Sequence, residues 1–132
     1  MNPIKALLIA LFGIATLFIT GCETQVAVDP DTGADQTARY QAGFFFGILE
    51  GELADTFRTT IQTLDEKGYF RTGERHLKTA VSIYARKVGD EKIVVRLKQT
   101  PEAGELEVRI RVGNMGNLAE SQTIFAAIRE AL

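Results

Sequence analysis

One histidine and one cysteine limit the chemistry open to this 132-residue chain. A hydroxyl nucleophile needs a base within hydrogen-bonding reach. Ser82 and Ser121 offer hydroxyls, but His76 stands in the polar connection GERHLK, where a solvated side chain is expected rather than a general base. Asp29, Asp31 and Asp35 in DPDTGAD invite a calcium reading, yet Gly33 and Tyr40 occupy positions where a calcium loop needs oxygen ligands. Pro30 and Gly33 fit a β-turn instead. GNMGN has the glycines of a phosphate-cradling loop without the Lys and Ser/Thr of a P-loop, and reads as a tight strand-to-helix turn in which Gly113 and Gly116 take positive φ. The residues predict no catalytic set, no metal site and no cofactor.

Cys22 lies directly behind the longest apolar run. MNPIK supplies a basic start with Lys5, and ALLIALFGIATLFIT is an uncharged apolar segment ending near the small residue Gly21. This is the three-part form of an export signal, whose apolar run is marginal as a spanning helix; a transmembrane anchor is the alternative. ITGC resembles the lipobox of bacterial lipoproteins: an aliphatic residue, a small polar one, glycine, then the cysteine that takes the lipid. That resemblance implies that Cys22 becomes the first mature residue, with a diacylglycerol thioether on sulfur and a third acyl chain on its amine. Each buried methylene adds ~0.8 kcal/mol and two chains already give stable anchoring, so such a protein stays in its membrane. In the sorting rule of enteric bacteria an aspartate after the cysteine favours the inner membrane. Glu23 therefore leans toward an outer-membrane lipoprotein facing the periplasm. A single cysteine allows no internal disulfide, so the exported part must be stable through packing alone.

The net charge is −2, and removal of Lys5 with the signal makes the mature part more acidic. A nucleic-acid partner, which calls for a basic domain, is not expected. The chain divides into residues 1–21 as signal, 22–41 as lipidated cysteine and polar tether, and 42–132 as one α+β domain.

Within that domain GFFFGILEG, residues 43–51, reads as a short buried strand; its glycines at spacings of four leave a helix as the alternative. LADTFRTTIQTLDEKG places Leu53, Phe57, Ile61 and Leu64 on one helical face closed by Gly68, and its threonines are weak helix formers that need tertiary packing. Three alternating segments follow, with inward sets Val81, Ile83, Ala85; Ile93, Val95, Leu97; and Leu106, Val108, Ile110, Val112. NLAESQTIFAAIREAL opens with Asn117 as N-cap and Glu120 three residues on, followed by an apolar face through Ile124, Phe125 and Ile128. The order strand, helix, strands, helix predicts an antiparallel sheet of about four to five strands with two helices packed on one face.

From about Gly47 to Leu132 the chain resembles an uncharacterised family of small lipoproteins from Gram-negative bacteria, defined only as a domain of unknown function. FRTTIQTLDEKGY, KIVVRLK, ELEVRIRVG and above all RVGNMGNLAESQTIFAAIREAL carry the resemblance. It implies a lipid-anchored periplasmic domain without an assigned enzyme activity. The fold is also loosely similar to the helix-grip domains of accessory lipoproteins in outer-membrane protein assembly, an analogy of fold alone.

The outer faces of the strands carry the remaining signal. If QTPEAG sets Leu97 against Leu106, then Lys98 meets Glu105, Arg96 meets Glu107, and Lys92 meets Arg111 with Arg109 nearby. A three-residue VGD loop puts Arg86 opposite Lys92. Arg86, Lys92 and Arg111 then line up across three strands with Tyr84 beside them, although like charges placed opposite are destabilising. Either a carboxylate such as Glu50 reaches over, or the band suits an anionic partner: lipid headgroups, cell-wall acids or an acidic envelope protein. The expected role is that of a lipid-anchored interaction or structural module of the bacterial cell envelope, held in the membrane by Cys22. The alternative is a carrier with an apolar cavity lined by Phe57, Ile61, Phe125 and Ile128.

Overall fold

The computed structural model describes residues 2–7, 9, 22–28 and 37–132. Seven strands form one antiparallel sheet: β1 (Thr24–Val26), β2 (Ala38–Gln41), β3 (Phe44–Glu50), β4 (Phe70–His76), β5 (Ala80–Lys87), β6 (Glu91–Gln99) and β7 (Glu105–Val112), in spatial order β1-β2-β3-β7-β6-β5-β4. Of three helices, α1 includes residues 3–7, while α2 (Leu53–Glu66) and α3 (Leu118–Ala131) pack together on one face of the sheet. Among the described residues no helix is long and apolar enough to cross a membrane.

The α+β class holds and the strand count exceeds the four to five expected. The missed strands are β1, β2 and β4. All seven β4 residues are exposed, and its charged side chains and the bulge between Arg71 and Gly73 suit an edge, so it carries no alternating apolar signature. β1 and β2 fall in the segment expected as a polar tether. Thr24, Gln25 and Val26 pair with Tyr40, Arg39 and Ala38, Val28 is buried, and Gln122 Nε2 donates to the Ala27 carbonyl at 2.6 Å. Backbone pairing fixes this stretch where side-chain pattern gives no hint. DPDTGAD, with its calcium and turn readings, lies outside the described residues.

β3 is a strand, as favoured, but only one of its faces enters the core. Phe45, Gly47 and Leu49 point inward, whereas Phe44 and Phe46 are half-buried on the opposite face with exposed Ile48. Gly47 admits α3: a Cβ there would stand 2.6 Å from Phe125 Cε2, and the Phe45 and Phe125 rings pack at 5.2 Å. Gln41 pairs with Phe44 across Ala42 and Gly43, both at positive φ, which makes a tight two-residue hairpin.

α2 presents a different face from the one its apolar spacing suggests. Thr56, Thr60 and Leu64 are fully buried, while Leu53, Phe57 and Ile61 are only half-buried at the margin. The small threonines let the helix approach closely, and Thr60 satisfies its hydroxyl by donating to the Thr56 carbonyl at 2.7 Å. In α3, Asn117 Oδ1 accepts from the Glu120 amide at 3.1 Å, the cap read from the sequence, and Ile124, Phe125 and Ile128 are fully buried.

The Glu120 carboxylate turns away from the cap to join three elements. It accepts from the Tyr69 hydroxyl at 2.9 Å and from Lys87 Nζ at 2.6 Å, and Lys87 also pairs with Glu91 at 2.9 Å. Burial, and next the hydrogen bond to Glu120, push the Tyr69 phenol up to about 12. The bonds to Glu120 and then Glu91 push Lys87 above its ordinary value.

Candidate functional site

Antiparallel pairing places alternate residues of the seven strands on the sheet face that, among the described residues, carries no helix. The hairpin between β5 and β6 has the expected register, with Ile83 opposite Val95 and Arg86 opposite Lys92. The β6–β7 hairpin does not. Pairing continues to Thr100, whose amide donates to the Glu105 carbonyl at 3.1 Å, so the loop is shorter than expected and the register moves by two residues. An even shift preserves which side chains face the core and changes every partner on the outer face.

The expected pairs of Lys98 with Glu105 and Arg96 with Glu107 are therefore replaced. Lys98 stands opposite Glu107, Arg96 directly opposite Arg109, and Val94 opposite Arg111. Lys92 passes the end of β7, where its carbonyl accepts from the Gly113 amide at 2.7 Å. The row Arg86, Lys92, Arg111 is thus broken after its first pair. Arg86 pairs with Asp90 in its own turn, and Arg111 donates to the Asn114 carbonyl. Glu50 does not reach over, because it pairs with Glu105 at the far end of β3.

A different row takes its place. Arg75, Ser82, Arg96, Arg109, Phe46, Arg39 and Gln25 follow one another from edge to edge of the sheet. Arg109 lies over Phe44 at 3.7 Å and reaches Phe46 at 5.3 Å, Arg111 covers Phe44 at 4.7 Å, and Arg39 covers Phe46 at 4.5 Å. Stacking on rings offsets the repulsion among these cations and shelters phenylalanines that no helix covers. Arg39 also bridges Glu23 at 3.6 Å and Glu107 at 3.2 Å. Arg96 and Arg109 have no ion pair among the described residues, and the Nε of each is buried without a hydrogen-bond partner. With Lys98 and Glu107 they line a hollow of about 110 Å³.

Sequence reasoning named Tyr84, Arg86, Lys92, Arg109 and Arg111, all of which lie on or at the end of this face, and missed Arg39, Phe44, Phe46 and Arg96 as its centre. The signal was present in GFFFGILEG, where alternation sends Phe44, Phe46, Ile48 and Glu50 to one side and ends that side on a charge.

The other candidate groups are dispersed. His76 lies on the helix side of β4, 2.9 Å from Glu74 Oε1 and edge-on to Phe57 at 5.1 Å between centroids, whereas Ser82 is on the open face. Ser121 is buried and donates to the Asn117 carbonyl at 2.7 Å. Gly113 and Gly116 take positive φ in the strand-to-helix turn, as expected. Among the described residues no group of Cys, His, Asp and Glu could hold a metal ion. Of the residues expected to line an apolar cavity, Phe125 and Ile128 are closed into the core, whereas Phe57 lines an open hollow of about 510 Å³ beside Leu53, His76 and Leu77. Cys22 is a free, exposed thiol two residues ahead of β1.

Comparison with curated proteins returns no match. The family described as "Protein of unknown function (DUF3568)" matches residues 5–131, a wider span than the motifs after Gly47 suggested, and the chain belongs to that family.

Proposed function

We propose that this protein is a lipid-anchored interaction module of the bacterial cell envelope, fixed by acylated Cys22 at the outer membrane and facing the periplasm. The ITGC stretch behind an export-type segment supports the anchor. The observation that carries the interaction role is the open sheet face: among the described residues helices cover one side only, while the other displays arginines stacked on phenylalanines, and Arg96 and Arg109 stand opposed without a carboxylate partner. Groups held in this way cost stability in an isolated domain and gain from an anionic partner.

An anchor at Cys22 also sets the distance to the bilayer. Two residues span at most about 7 Å, so the lipid sits next to the sheet rather than at the end of a leash. Growth with an alkyne fatty acid tests the anchor: the wild-type protein takes up label and begins at Cys22, and Cys22→Ser takes up none. An unlabelled wild-type protein, or a mature start elsewhere, contradicts it.

A further inference from the structure

We infer that the open face docks flat on anionic phospholipid, with the hollow between Arg96, Lys98 and Arg109 seating a headgroup phosphate. The placement of this face against the bilayer rests on the Cys22 anchor proposed above; the headgroup chemistry does not.

Three observations converge on it. Charge is unevenly divided between the two sides of the molecule: in and beside its central row the open face carries Arg39, Arg75, Arg96, Lys98, Arg109 and Arg111 against Glu50, Glu105 and Glu107, while the helices present Asp55, Asp65, Glu66, Glu120 and Glu130 against Arg58 and Arg129. A chain that is acidic overall thus has one basic side, which fits a negatively charged surface and disfavours the reverse orientation.

The hollow is built from donors that lack acceptors. Arg96 and Arg109 face each other across β6 and β7 with buried, unpartnered Nε groups, and the about 110 Å³ between them is completed by Lys98 and Glu107. Glu107 is drawn toward Arg39 at 3.2 Å, which leaves the two opposed guanidinium groups without a counter-ion. Planar guanidinium groups match the geometry of phosphate oxygens, and an anion between them turns a repulsive pair into a bridged one.

The surroundings suit the membrane interface. Phe44 and Phe46 lie beneath arginines, and Ile48 is 50 % exposed on the same face. Apolar rings with cationic rims are the composition of a headgroup-level contact. β1, adjacent to Cys22, is three strand steps from β7, about 14 Å at ordinary strand spacing, so an anchored sheet edge brings the hollow to the surface without unfolding any element.

Among the described residues every strand and every buried core residue lies after Cys22, so the chain from residue 22 with Cys22→Ser carries that packed unit. Its flotation with phosphatidylcholine vesicles, with and without phosphatidylglycerol, tests the inference free of the lipid anchor. Binding is expected only with phosphatidylglycerol, falling as salt rises. Arg96→Gln with Arg109→Gln is expected to weaken it on the order of tenfold while unfolding at an equal or higher temperature. Lys98→Gln, at an exposed position whose side chain makes no hydrogen bond or ion pair among the described residues, should weaken it several-fold, and Arg58→Gln with Arg129→Gln on the helices should leave it unchanged. Binding independent of phosphatidylglycerol, absent altogether, or reduced equally by the helix variants overturns the inference. Failure of alkyne labelling at Cys22 with these vesicle results intact would remove the anchor and leave the headgroup site standing.

Discussion

Gly47→Val is expected to destabilise the protein by ~1–3 kcal/mol and Phe125→Ala by ~3–5 kcal/mol, with the double variant losing less than the sum. The first change pushes a branched side chain into space that the Phe125 ring already fills, since even a Cβ would stand 2.6–2.7 Å from two of its ring carbons. The second opens a cavity at the point where α3 meets β3, under Phe45. Each change supplies what the other lacks, so valine at 47 partly fills the space left by the ring. Urea unfolding of the four proteins measures the coupling; strictly additive losses would show that Gly47 does not serve to admit Phe125.

Glu120→Gln is expected to cost ~1–3 kcal/mol at neutral pH and to flatten the loss of stability in alkali. The carboxylate holds Tyr69 and Lys87 from two other parts of the chain, and both partners gain protons' affinity from folding. The phenol is raised from 10.0 to about 12, so its contribution is complete below pH 10 and disappears as pH climbs toward 12. Lys87 is raised above 10.5, and its contribution is likewise lost only above that value. The wild-type melting temperature should therefore fall steeply above about pH 10, and that of Glu120→Gln should fall less steeply from a lower start. Parallel profiles would remove Glu120 as the cause.

The central fold was legible in the sequence because core-facing residues repeat with the period of their element. Ile93, Val95 and Leu97, or Ile124, Phe125 and Ile128, announce themselves this way. β1, β2 and β4 were not legible, since the two edge strands and the four-residue β2 beside one of them are held by backbone pairing and bury too little to impose alternation. In α2 the buried face is made by threonines, whose contribution is close approach rather than hydrophobicity.

The site was half legible for a related reason. Parity told which side chains share the outer face, so Arg86, Lys92, Arg109 and Arg111 were found there. Register decides who meets whom, and it depends on how far pairing runs into the loop at Thr100. Two residues of difference replaced both expected pairs of opposite charge, put Arg96 opposite Arg109, and moved the centre of the face onto Phe44 and Phe46. The apolar run GFFFGILEG reads as fully buried because both of its faces are apolar; on one of them the cover is arginine rather than a helix.

Use of the open sheet face by an anchored domain can be read by photo-crosslinking in intact bacteria, with a probe at Val94, which lies on that face between Tyr84 and Arg111. A second form exported without Cys22 serves as the unanchored control. The expected result is a discrete adduct from the anchored protein, identified by mass spectrometry, that is lost from the unanchored form. No adduct from a folded, anchored protein would contradict it.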